Sequence, residues 1–96
     1  MNAYTVSPLA RRDLKEAWIY SKGRWGRSRA DRYIGDLAAV MSRIADNPLL
    51  GQDCDDVRPG YRRHPAGSHM VFYELRDNML VIIRVLHQQM NVEDKF

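Results

Sequence analysis

Cysteine is almost absent from the 96 residues, with Cys54 alone. A lone thiol excludes an internal disulfide and suits a reducing compartment, so a cytoplasmic protein is expected. Its surroundings, QDCDD, are acidic and offer no positive group to hold a reactive thiolate. Lysine is scarce as well, three against twelve arginines. That imbalance suits planar, bidentate recognition of carboxylate or phosphate. A net charge of +3 and a pI near 9.3 are too mild to signal nucleic acid, and no sequence-specific contact with it is expected. No apolar run approaches the roughly 20 residues of a membrane span, and the opening MNAYTVSP lacks the basic start and apolar stretch of a signal peptide. No membrane association is expected. There is no glycine-rich phosphate loop. His64, His69 and His87 do not stand at spacings that complete a zinc site with Cys54, and Asp53, Asp55 and Asp56 lack the glycine turn and distal Glu of a calcium loop. Neither a metal nor a cofactor is expected.

The best-specified stretch is Ser68 to His87, two runs rich in Val, Ile, Leu, Phe and Tyr separated by Asp77-Asn78. β-forming residues without internal Gly or Pro, joined by a polar pair that tolerates positive φ, predict a β-hairpin. A two-residue turn sets Arg76 opposite Met79, Tyr73 opposite Ile82, Phe72 opposite Ile83, Val71 opposite Arg84 and His69 opposite Leu86. One face then carries Met70, Phe72, Glu74, Val81, Ile83, Val85 and His87, and the other His69, Val71, Tyr73, Leu75, Leu80, Ile82, Arg84 and Leu86. Both faces are apolar, so both need cover from the chain or from a partner.

Upstream, Asn2 to Val6 is a short β-forming run. Ser7-Pro8 joins a capping hydroxyl to a proline at the first helical position, which predicts a helix from Pro8 to about Lys22, ending at Gly23 or Gly26. Its inner stripe is Leu14, Ala17, Trp18, Ser21 and Trp25. Ser28 and Asp31 match a capping box for a second helix, whose stripe is Ala30, Tyr33, Ile34, Leu37, Met41, Ile44 and Ala45 and which Asn47-Pro48 ends. With so short a link, the helices must fold back as a hairpin. Residues 47–60 look like loop, Tyr61 to His64 a short strand, and the last nine residues a polar tail. The order is β-α-α-β-β-β: one α+β domain over residues 1–96, with a mainly antiparallel sheet packed against an N-terminal helical hairpin.

This layout resembles the RelE/ParE superfamily of bacterial toxins, and its ParE branch in particular. The resemblance lies in the order and spacing of YTVSPLARRDL, IYSKGRWG, IADNPLLG, VRPGYRRHPAGSHMVFYEL and IIRVLHQQM, which span nearly the whole chain. It implies a toxin of a type II toxin-antitoxin system that poisons DNA gyrase without catalytic activity of its own. It also implies a ParD-like antitoxin that wraps the toxin in a hetero-oligomer, and a place in plasmid stabilisation.

Chemistry alone keeps other readings open. A metal-free RNA nuclease of the RelE type needs cations around a scissile phosphate and a group that moves a proton, and Arg62, Arg63, His69, Tyr73, Arg84 and His87 offer such a set. The plainer alternative makes the arginines solvated strand residues, pairs Arg84 with Glu74 or Asp77, and lets His87 close the sheet end. The resemblance, in turn, tells against cleavage. The ribosome-dependent nucleases of the superfamily carry a lysine-rich second helix and a basic and aromatic residue after the last strand, whereas here the second helix has no lysine and the tail QQMNVEDKF has no Arg or Tyr. An inactive relative that retains antitoxin binding is a third reading. As partner-binding surfaces, for gyrase or antitoxin, three compete. The sheet rim comprises those six residues, with Val71, Ile82 and Leu86 left open beside them. The helical hairpin offers Trp18, Tyr20, Trp25 and Tyr33. The tail offers Met90 and Phe96.

Overall fold

The computed structural model describes residues 3–96, so Asn2, placed at the start of the first expected strand, lies outside the described residues. The elements are β1 (Tyr4–Val6), α1 (Pro8–Trp25), α2 (Arg27–Asp46), β2 (Gln52–Asp53), β3 (Arg62–Ala66), β4 (His69–Arg76) and β5 (Met79–His87), with single turns of 3-10 helix at Pro48–Leu50 and Val92–Lys95. Five strands form one sheet in the order β1-β5-β4-β3-β2, with β1 parallel to β5 and the other pairs antiparallel. The expected arrangement is present, with one addition. β2, taken from the sequence as loop, adds a two-residue strand beside Arg62 and Arg63. Its shortness hid it, because two polar residues carry no alternation.

Ser7 starts α1 as its spacing predicts. Its Oγ accepts from the Ala10 N–H at 3.0 Å and donates to the Ile83 carbonyl at 2.7 Å, so one hydroxyl caps the helix and ties it to β5. α1 runs on to Trp25, and Gly26, at φ +91°, closes it and opens α2 directly. Ser28 is therefore inside α2 and no side chain caps that helix, so the expected capping box does not form. A glycine in the left-handed region made the link shorter than the Ser28 signal allowed.

Asp77 and Asn78 both hold positive φ, +51° and +64°, which is the two-residue turn whose twist suits a hairpin. The register follows expectation from Arg76–Met79 to Tyr73–Ile82 and then departs from it. A bulge at Ile83 sets Phe72 opposite Arg84, Val71 opposite Val85, Met70 opposite Leu86 and His69 opposite His87. One inserted residue sends every later β5 side chain to the opposite face. Val85 thus joins Val71, Tyr73, Leu80 and Ile82 beneath the helices, where Leu37, Val40, Met41 and Ile44 of α2 cover them. Leu86 turns to the far side with Phe72 and Cys54, under Val57, Tyr61, Val92 and Phe96. Val71, Ile82 and Leu86 are all buried. The expected open apolar patch is closed by the chain's own loop, tail and helices, because the tail folds back instead of hanging free.

Candidate functional site

The bulge also determines where the expected site residues lie. Arg84 reaches across to α1 and grips Asp13 with both prongs of its guanidinium, Nε to Oδ2 at 2.8 Å and Nη2 to Oδ1 at 2.9 Å. The Val85 N–H, released from the ladder by the bulge, donates to the same carboxylate at 2.9 Å. Asp13 is buried, although it is not part of the inner stripe that helical spacing predicts for α1. The Asp13 hydrogen bond also raises the Arg84 pKa further above its ordinary value, against the effect of burial. Glu74 instead pairs with Arg76, so neither Glu74 nor Asp77 holds Arg84. Arg84 is thus a structural clamp, and the reading of it as an open contact residue is corrected.

Tyr73 is also structural. Its Oη donates to the Pro48 carbonyl at 2.6 Å and accepts from the Gly51 N–H at 2.8 Å, at 1% exposure. Burial pushes the phenol pKa up. Arg62 secures the same loop through the Gly51 carbonyl at 2.7 Å. A Cβ on Gly51 would overlap the Tyr73 hydroxyl and come within 2.8 Å of the Arg63 carbonyl, which requires glycine there. Arg63 pairs with Phe72 one step away, half-buried on the other face and near Cys54. The buried thiol is pushed up in pKa mainly by desolvation, which suits an unreactive group.

The six sheet residues do not gather at one point: Arg62 and Tyr73 pair across β3 and β4 around Gly51, and His69 and His87 meet at the other end of β4. The two histidines face across β4 and β5 with ring centroids 5.5 Å apart. The Tyr33 hydroxyl accepts from the Ser68 N–H at 3.0 Å and lies 2.6 Å from His69 Nδ1. Burial first, then the neighbouring His87, lowers the His69 pKa, partly offset by Asp13. Gly67, at φ +57°, lets the Tyr33 ring lie against the turn, where a Cβ would come within 2.7 Å.

These rings floor a groove of about 280 Å³ between the helical hairpin and the ends of β4 and β5, walled by Tyr20, Ser21, Trp25 and Arg29. Trp25 is 51% exposed and Tyr20 59%, so α1 buries a narrow stripe of Ala10, Asp13, Ala17 and Ser21 and turns its late aromatics outward. Trp18 stands apart from the groove, with its indole N–H on Asp31 at 2.8 Å. The sequence reading named Tyr20 as a hairpin contact and Ser21 as an inner-face residue but missed Asp13 and Arg29 as parts of this region. Helical periodicity pointed to α1's inner face but not to a carboxylate on it.

The family described as ParE toxin of type II toxin-antitoxin system, parDE, matches residues 4–92. The chain belongs to the ParE toxin family. Among curated ParE toxins, Toxin ParE1 of Caulobacter vibrioides is 45% identical over 95% of this chain and 94% of its own length. Toxin ParE1 of Mycobacterium tuberculosis is 42% identical over 94% and 93%. The fold is shared with a solved chromosomal ParDE system from P. aeruginosa, at TM-score 0.79 and 15% identity over 91% of this chain and 96% of that one. A YoeB-YefM complex from Staphylococcus aureus follows at TM-score 0.60 and 18% identity, over 92% and 98%. The α+β arrangement is therefore that of the RelE/ParE toxins. Among the described residues no helix is long and apolar enough to cross a membrane.

Proposed function

We propose that this ParE-family toxin inhibits DNA gyrase in the bacterial cytoplasm without catalysis of its own and is neutralised by a ParD-like antitoxin in a hetero-oligomer. The observation that carries the reading is the family match over residues 4–92. A solved ParDE system with this fold supports the antitoxin partnership. The geometry supports a non-enzymatic role: Arg84 is committed to Asp13, Tyr73 to the Pro48–Gly51 loop, and Arg62 to the Gly51 carbonyl. The cations and proton donor that a phosphodiester cleavage needs do not converge on one point. Partner contact then falls to side chains left at least partly exposed. His69, His87, Tyr33 and Trp25 line the groove, while Trp18 and the half-buried Arg62 and Arg63 of β3 lie outside it.

The test sets purified toxin in a gyrase supercoiling and cleavage assay beside an mRNA cleavage assay on ribosomes. Accumulated gyrase cleavage complexes with intact mRNA are expected. Cleaved mRNA with unaffected gyrase would overturn the reading in favour of a RelE-type endonuclease. No effect in either assay would leave an antitoxin-binding relative without toxicity.

A further inference from the structure

The net positive charge of this chain is concentrated in one place, although cations occur throughout. Residues 22–32, the end of α1 and the first turns of α2, hold Lys22, Arg24, Arg27, Arg29 and Arg32 against the single carboxylate of Asp31. This hairpin tip carries a net charge of +4 in a chain whose whole excess is +3, so the remainder sums to −1. Asp31 is occupied by the Trp18 indole, and among the described residues none of the five cations has a carboxylate within ion-pair distance. Five like charges with one carboxylate among them repel one another, a cost that an anionic ligand would reduce.

The same tip carries exposed rings. Tyr20 and Trp25 meet edge to face with centroids 6.2 Å apart. The Arg24 guanidinium lies 5.7 Å from the Tyr20 ring and 5.4 Å from that of Trp25, and Arg29 lies 5.7 Å from Trp25. Lys22 sits 5.1 Å from the Trp18 ring. Flat guanidiniums layered with half-exposed aromatics are planes on which bases stack, and Tyr20, Trp25 and Arg29 also line the groove beside them. An acidic peptide would engage the cations but leave the rings without a matching surface. A nucleotide chain supplies a phosphate and a planar ring at every step.

We propose that the tip of the helical hairpin binds single-stranded nucleic acid, with phosphates on its five cations and a base against Tyr20 and Trp25. This goes beyond the reading of the target and stands whether or not gyrase is inhibited. The test is fluorescence anisotropy of a labelled single-stranded oligothymidylate titrated with the purified chain at several salt concentrations. Binding should weaken with salt at a log–log slope between about −2 and −3.5, from about −0.7 per phosphate contact. R27A/R32A, which touches neither ring, should weaken binding and flatten the slope by about 1.4. W25A should lose roughly tenfold in affinity with the slope unchanged, and W25F should recover part of it, as stacking worth about 1–3 kcal/mol per base requires. R43A, at the far end of α2, should bind as the parent does. Circular dichroism and melting temperature confirm that each variant is folded. Absence of binding at low salt would overturn the proposal. So would equal binding of polyglutamate, or of duplex DNA with W25A unaffected, since either would mean an undirected attraction to negative charge.

Discussion

The Asp13–Arg84 clamp shows how one carboxylate comes to hold an element junction. Asp13 serves two guanidinium nitrogens and the Val85 N–H left over by the bulge, so its removal strands a nearly buried arginine and a backbone donor together. Asp13→Ala should cost about 3 kcal/mol, read as a fall in the urea midpoint. Arg84→Ala should also lower the midpoint; a variant that lost toxicity at parental stability would restore Arg84 as a contact residue. His69 gives the pH dependence. Its pKa in the folded protein lies below the ordinary 6.5, so the unfolded chain takes up the proton first. The stability contributed by neutral His69 is complete above that value and is lost as the pH falls from it through the lowered native value. Melting temperatures at pH 7.5 and 5.5 should therefore differ more for the parent than for His69→Gln, with His87, Tyr33 and Asp13 as the neighbours that modulate the difference.

Among the elements, the C-terminal segment does more than its composition suggests. Phe96 rests edge-on against Phe72 at 5.1 Å and Tyr61 at 5.7 Å, closing the sheet face that the helices leave open. Phe96→Ala should cost about 2 kcal/mol by lost apolar burial, which for a domain of this size corresponds to a melting temperature lower by roughly 8–16 °C. An unchanged melting temperature would mean that the tail is dispensable cover. The hairpin of β4 and β5 was readable because Asp77-Asn78 and the β-rich runs on either side agree with one another. Its far half was not readable, because a bulge inserts a residue without any local marker in the sequence. What places it at Ile83 is the set of partners waiting there, the Ser7 hydroxyl for the Ile83 carbonyl and Asp13 for the Val85 N–H.

For the whole molecule, the two surfaces that remain are the groove at the helix–sheet junction and the basic aromatic tip beside it. Both are made of half-exposed side chains, so changing them should leave the fold intact. His87→Ala is expected to keep the parental melting temperature within about 4 °C and to weaken binding of a ParD-like antitoxin, measured by calorimetry. Parental antitoxin affinity in that variant would move the contact away from the groove.

The sequence alone determined the order of the main elements apart from the two-residue β2, the hairpin turn, the capped start of α1 and the resemblance to ParE toxins, because each is written in local spacing and turn chemistry. Only the tertiary structure decided which side chains are free to meet a partner. Val71, Ile82 and Leu86 look available until the bulge and the returning tail bury them, and Tyr73 and Arg84 look functional until Gly51 and Asp13 take up their polar atoms. Availability depends on contacts between residues far apart in the chain, and no local pattern encodes those.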